Sequence, residues 1–227
     1  MIQDIWPKHL DNQYKNLKPG NEDTVFYFQG SSLLARPSGH FNSQNPEENV
    51  LIYPQYDEFV QGIKSSYGDK AVDNFEFIYL LSIDEEHFFL ARKTGSLERG
   101  TFLGEMADSA VHKDMYSFVR GYEFIGVDSF RKAQPREHAY AAITAFHLYG
   151  WYRDNHFCGR CGKPLKHDDK QRMLRCYCCK NMVFPKICPA VIVAVTDKDR
   201  ILLTKYAGRT YRNYALIAGL TEIGETT

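Results

Sequence analysis

Short apolar runs separated by turn formers dominate the first half of the chain. Segments 24–28, 50–53, 77–83 and 87–91 are rich in aromatic and β-branched residues, the composition of strands. Arg36-Pro37-Ser38-Gly39 and Asp84-Glu85-Glu86 bound them as turns, a pattern that suits an antiparallel sheet. Ala107, Val111, Met115 and Phe118 recur at helical spacing and predict a helix near 105–119. Residues 123–127 read as another strand. A second helix is expected over 136–154: Pro135 suits its first turn, where a missing N–H costs nothing, and Ala139, Ile143, Phe146 and Gly150 fall on one face. Further on, 190–195 is continuously apolar and reads as a buried strand, 197–199 as a turn and 200–204 as the returning strand. The aromatics of the first half carry no recognisable chemical motif and are expected in the core.

Composition narrows the class without naming a function. The 227 residues are enough for one or two domains, and 44% hydrophobic with 25% charged residues is ordinary for a globular chain. Lys+Arg and Asp+Glu both total 28, so no overall field favours nucleic acid or anionic lipid. No apolar run approaches the roughly 20 residues that span a bilayer. The opening Met1-Ile2-Gln3-Asp4-Ile5-Trp6-Pro7 lacks the basic-then-apolar order of a secretory leader. A cytoplasmic location, with no membrane partner, is the expectation.

The cysteines carry the first specific chemistry. All six (Cys158, Cys161, Cys176, Cys178, Cys179 and Cys188) lie within 31 residues, and the first 157 residues hold none. Clustering of this kind points to metal rather than to disulfides spread through a fold. Cys158-x2-Cys161 and Cys176-x2-Cys179 are two pairs separated by fourteen residues. Two such knuckles can close an S4 cage around Zn2+, with no open position, so the role expected is structural. Cys178 competes with Cys179 for the fourth place, and the matching two-residue gap favours Cys179. Gly159 and Gly162 suit the tight turns, His156 and His167 read as exposed or capping, and Cys188 as a small apolar filler. Residues 164–165 and 173–175 read as strands of the ribbon.

Further motifs extend the pattern. The helix ending at Trp151 is followed by His156-Phe157-Cys158-Gly159-x-Cys161-Gly162, the second cysteine pair, and Phe184-Pro185-Lys186-Ile187-x-Pro189-Ala190-Val191-Ile192-Val193. Asn213-Tyr214-Ala215-Leu216-Ile217-Ala218-Gly219-Leu220-Thr221-Glu222-Ile223-Gly224-Glu225 comes last. In this order the chain resembles the NADH pyrophosphatase branch of the Nudix hydrolases, over roughly 130–227. Gly219, five intervening residues and Glu225 match the opening of the Nudix box.

The resemblance implies an α+β chain in three parts. These are an N-terminal mixed β-rich domain (1–132), a helix plus zinc ribbon (133–186), and the first strands of a Nudix α/β/α sandwich (187–227). It implies hydrolysis of NADH or NAD+ to nicotinamide mononucleotide and AMP, removal of NAD caps from RNA, a homodimer, and catalytic Mg2+ or Mn2+. Ala218 matches a position whose backbone carbonyl contacts the catalytic metal, and Gly219 and Glu225 the first glycine and glutamate of the box. Leu220 stands where a base-stacking phenylalanine is common, Phe184 where a tyrosine contacts substrate, and Arg131 near a substrate-contacting arginine. The sequence stops before the box's remaining glutamates, so the 227 residues are expected to be truncated within the motif and inactive alone. The alternative from another class is a non-catalytic zinc-ribbon module that binds RNA or mediates dimerisation. Lys163, Lys166, Lys170, Arg172, Arg175 and Tyr177 would form its surface, diluted by Asp168 and Asp169.

Overall fold

Strand Thr24–Gln29 (β2) buries four consecutive side chains, Val25 to Phe28. A strand does this only when both faces of its sheet are covered. Alternate residues indeed enter two different cores: Phe26 and Phe28 one, Val25 and Tyr27 the other. The computed structural model that shows this describes residues 2–39, 50–94, 117–208 and 212–226. The chain forms two units, 1–184 and 185–227.

In the first unit β2 shares a sheet with Leu10–Asp11 (β1), Ser32–Pro37 (β3), Leu51–Ile52 (β4), Phe75–Ile83 (β5), Glu86–Lys93 (β6) and Glu123–Gly126 (β7). The order is β1-β5-β6-β2-β3-β4, with β7 also paired to β3 through Leu33↔Ile125. The sheet is mixed rather than purely antiparallel. β2 and β6 run parallel, from Thr24↔Phe88 to Tyr27↔Ala91, and the connection between them carries helix Tyr56–Tyr67 (α1) and β5. β3 follows a tight turn in which Gly30 takes φ +56°. It occupies the stretch that the sequence reading closed off as a turn at Arg36-Pro37. Helix residues Ala107, Val111 and Met115 of the expected 105–119 segment lie outside the described residues, and Phe118 is in a loop.

Among the described residues, each face of the sheet receives one helix. α1 sets Phe59 and Ile63, one turn apart, against Val25, Leu34, Tyr79 and Phe89. Helix Arg136–Asp154 (α2) covers the other face, with Pro135 at its N-cap rather than in its first turn. Its buried stripe runs Ala139, Ala142, Ala145, Leu148 and Tyr152, with Ala141 and Trp151 beside it. Ile143 and Phe146, expected at the centre, sit at its margin, only partly buried. The small alanines put the flatter side of the helix against the sheet. Segments 1–132 and 133–184 therefore share one core.

The ribbon adds three short strands, Lys166–His167 (β8), Leu174–Arg175 (β9) and Met182–Val183 (β10), in the order β10-β9-β8. It docks onto the sheet through Leu174, which enters the α2-side core, and through Arg172. The Arg172 guanidinium donates to the carbonyls of Asn12, at 3.1 Å, and Leu80.

The second unit holds Ala190–Val193 (β11) paired antiparallel with Ile217–Leu220 (β14), and a hairpin of Thr196–Asp197 (β12) with Arg200–Ile201 (β13). Lys198 at φ +53° turns the hairpin. Contrary to expectation, β11 is not buried. Ile192 is 69% exposed because no layer among the described residues of this unit covers the pair. Cys188 is exposed rather than a filler for the same reason: the segment leading into β11 has nothing packed over it.

Candidate metal centre

Two turns of the same design face each other in the ribbon. In the first, Gly162 N–H donates to Cys158 C=O at 2.8 Å and Cys158 N–H to Lys163 C=O at 2.8 Å. In the second, Lys180 N–H donates to Cys176 C=O at 2.9 Å and Cys176 N–H to Asn181 C=O at 2.8 Å. Gly162 and Lys180 occupy equivalent places and both take the left-handed conformation, φ +69° and +60°. Glycine does so freely, whereas lysine pays roughly 1 kcal/mol or more of strain. Gly162 thus has the role expected of it, while Gly159 is not among the positive-φ glycines.

The turns bring Cys158, Cys161, Cys176 and Cys179 together with all four sulfurs within 4.8 Å of one another. Cys158 Sγ lies 3.5 Å from Cys179 Sγ, and Cys161 Sγ 3.4 Å from Cys176 Sγ. A tetrahedral S4 site with Zn–S near 2.3 Å has edges of about 3.8 Å. The donor set and spacing therefore fit a metal such as zinc. Cys178, the competitor for the fourth place, is exposed and outside the cluster. His156 and His167 are also outside it, and neither is an exposed residue. Burial depresses the pKa of both imidazoles.

The electrostatics of the four thiols favour a dication. Desolvation opposes ionisation of Cys158, but N–H groups of Arg160 and Cys161 win and bring it down to about 6. The Cys179 N–H likewise leads in lowering Cys176. Cys161 receives the Lys163 N–H, yet its hydrogen bond to Cys176 and its desolvation push it up to about 12. Cys179, helped by the Asn181 N–H, is still raised, by desolvation and by its neighbours Cys158 and Cys176. Two thiols ionise readily and two resist, as expected when like charges crowd a small volume. A divalent ion held by the four sulfurs would remove that resistance and keep all four as thiolates. Asn181 donates its Nδ2 to Cys158 Sγ at 3.7 Å, a contact the sequence reading missed. The signal was available: Asn181 and Lys180 stand at the same offsets from Cys176 as Lys163 and Gly162 from Cys158.

The residues matched to the Nudix box lie in the second unit. Ala218, Gly219 and Leu220 are on β14, opposite Ile192, Val191 and Ala190, and Leu220 is exposed. Glu225 follows in a turn that Gly224 makes at φ +94°. Its carboxylate accepts the Glu222 N–H at 2.8 Å, and its own N–H donates to the Glu222 carbonyl at 3.1 Å. Arg131, in the short 3-10 helix Val127–Lys132, and half-exposed Phe184 belong to the first unit. Among the described residues the four cysteines are the only group of three or more metal-ligating side chains close enough to share an ion. No comparable carboxylate cluster accompanies Glu225, so the described residues do not fit a catalytic Mg2+ or Mn2+.

A four-cysteine, zinc-ribbon-type metal site on a mixed α+β chain is thus the class that fold and site define. No family model matches the chain. Curated proteins named NAD-capped RNA hydrolase NudC, from Salmonella typhi and Salmonella heidelberg (strain SL476), are each 34% identical to it over 79 residues. That stretch is 35% of this chain and 31% of those proteins, so the match spans about a third of the length of the curated relatives. The similarity supports the NADH pyrophosphatase branch of the Nudix hydrolases, to which the motifs pointed. No helix among the described residues is long and apolar enough to cross a membrane.

Proposed function

We propose that the chain is part of a Nudix hydrolase that cleaves the diphosphate of NADH or NAD+ to nicotinamide mononucleotide and AMP, and that acts likewise on NAD-capped RNA. The 34% identity to proteins named NAD-capped RNA hydrolase carries this reading. In it, Cys158, Cys161, Cys176 and Cys179 hold a structural zinc, and the three segments 1–132, 133–186 and 187–227 are the modules of the resemblance. The protein works in the cytoplasm as a homodimer. Ala218, Gly219 and Glu225 open the catalytic loop, while Arg131, Phe184 and Leu220 line the substrate's path. Magnesium or manganese, when bound, would neutralise the diphosphate and help activate water. The ion would need carboxylates beyond those the described residues gather.

The RNA-binding module reading loses ground at the ribbon surface. Of its five basic residues, Arg172 points into the sheet, and Arg175 Nε pairs with Asp168 at 3.2 Å.

The test is AMP release from NADH in the presence of Mn2+, followed by chromatography. The 227 residues alone are expected to release none. The same chain extended by a helix that adds carboxylates beside Glu225 is expected to turn over. Equal release by both would refute the carboxylate argument, and silence of both would refute the hydrolase assignment.

A further inference from the structure

A cavity of about 630 Å3 opens in the first unit beside the start of β2, where α1, α2 and the β5–β6 turn also reach it. That is the size of a small-molecule site. Five carboxylates stand on its wall from separate stretches of the chain. Glu22 and Asp23 come just ahead of β2, Glu58 from the first turn of α1, and Glu85 and Glu86 from the turn between β5 and β6. The cations of the same wall do not balance them. Arg36 is the one permanent cation there, and its guanidinium lies 5.0 Å from the Tyr122 ring without a salt bridge among the described residues. His138 Nε2 engages Glu86 at 2.7 Å, and His87 Nδ1 lies 3.6 Å from Asp23. One guanidinium and two imidazoles against five carboxylates leave an excess of two negative charges even with both imidazoles protonated. Glu22, Glu58 and Glu85 form no salt bridge among the described residues. Glu58 accepts the Tyr122 hydroxyl at 2.8 Å and the Gln55 N–H at 3.2 Å through Oε2 alone, which leaves Oε1 to a further donor.

The floor points to a ligand independently of the charge. Tyr53, 4% exposed, lines the cavity with a hydroxyl that makes no hydrogen bond among the described residues. Its ring is held in the core, edge-on to Phe26 at 5.0 Å and 6.1 Å from Phe130. The Tyr152 hydroxyl is sealed from solvent, whereas that of Tyr53 is not, so the ring's residual exposure lies at its oxygen, on the cavity side. Burial pushes the Tyr53 pKa up, so the group is a neutral phenol with an acceptor to offer. Native proteins rarely leave such a group without a partner. Leu51 and Pro135 add apolar surface beside it. A metal ion does not answer this arrangement: among the described residues only the four cysteines lie close enough together to share one. Carboxylates spread around an apolar floor suit an extended cation, whose charges are separated by hydrocarbon.

We infer that the cavity binds a linear alkyl polyamine, its ammonium groups on the separated carboxylates of Glu22, Glu58 and Glu85, one N–H on the Tyr53 hydroxyl, and its methylenes over Leu51 and Pro135. The polyamine supplies the charge that the wall lacks and the donor that Tyr53 lacks. This inference is independent of the Nudix reading, which concerns the second unit.

The full chain is titrated by calorimetry with spermidine, putrescine, Mg2+ and Nα-acetyl-lysine amide at matched ionic strength, and its melting temperature is followed in parallel. Spermidine is expected to bind saturably and to raise the melting temperature. Putrescine should bind more weakly, because it reaches fewer of the carboxylates, and Mg2+ should give neither response. Tyr53→Phe, which keeps the ring in the core, should weaken spermidine binding about tenfold, the loss of one hydrogen bond to a charged group. Glu22→Gln with Glu85→Gln, both at exposed positions, should leave the fold intact and also weaken binding about tenfold. Glu58 is left unchanged because it caps α1. Spermidine held by the second unit instead would be indifferent to all of these changes, and such indifference would overturn the inference. So would the absence of a saturable response, or a rise in melting temperature with Mg2+ equal to that with spermidine, which would mean charge screening alone. Tighter binding of the lysine amide than of spermidine would make the ligand a lysine side chain and overturn the polyamine assignment.

Discussion

Cys176→Ser is expected to release the metal and unfold the ribbon while leaving the sheet folded. Cys176 is fully buried and Sγ-to-Sγ with Cys161 at 3.4 Å. Structural zinc in small domains contributes on the order of 10–16 kcal/mol of apparent binding energy. The ribbon has little else: its three strands are two residues each, far below what pairing alone sustains. Limited proteolysis with metal analysis checks it. The unaltered chain should resist cleavage over 158–184 and carry one zinc, and Cys176→Ser should be cut there and carry none. Cys178→Ser, at an exposed position outside the cluster, should behave like the unaltered chain. Equal metal loss in both would place the fourth ligand wrongly.

Phe88→Ala should be the most damaging single change in the sheet. Phe88 is fully buried on β6, stacked on Phe26 at 5.6 Å and 8°, with the His138 ring edge-to-face at 5.5 Å. It therefore ties β6 to β2 and to α2 at once. Truncating such a ring costs about 3–5 kcal/mol. For a unit of this size that lowers the melting temperature by roughly 6–20 °C. Tyr67→Ala, at a 60% exposed position, should change stability far less. Thermal unfolding followed by circular dichroism distinguishes the two, and similar midpoints would mean that the core is not where the burial pattern puts it.

Local signals were legible in the sequence, and long-range ones were not. α2 appears at its expected limits because Pro135 and the helical spacing of Ala139, Ile143, Phe146 and Gly150 are local cues. Which of its faces is buried depended on the sheet, so the stripe turned toward Ala142 and Ala145. β2, β5 and β6 announced themselves by composition, but the parallel pairing of β2 with β6 joins residues some sixty apart and leaves no mark on either segment. β3 was hidden because Arg36 and Pro37 read as a turn while pairing with Ile52 and Leu51 at its end. The apolar run at 190–195 predicted burial from hydropathy alone, but burial needs a covering layer, and the described residues of the second unit supply none. At the candidate site, cysteine spacing indicated the cluster, and the choice of Cys179 followed from matching the two turns. Arg172 read as surface charge, because only the fold brings the Asn12 and Leu80 carbonyls to it.

Four thiolates closing around one ion should hold the ribbon together. X-ray absorption at the zinc edge of the purified chain measures this most directly. One zinc per chain with four sulfurs at about 2.3 Å and no lighter ligand is the predicted result. A shell containing nitrogen or oxygen, or protein free of zinc with all six cysteines open to thiol reagents, would contradict it.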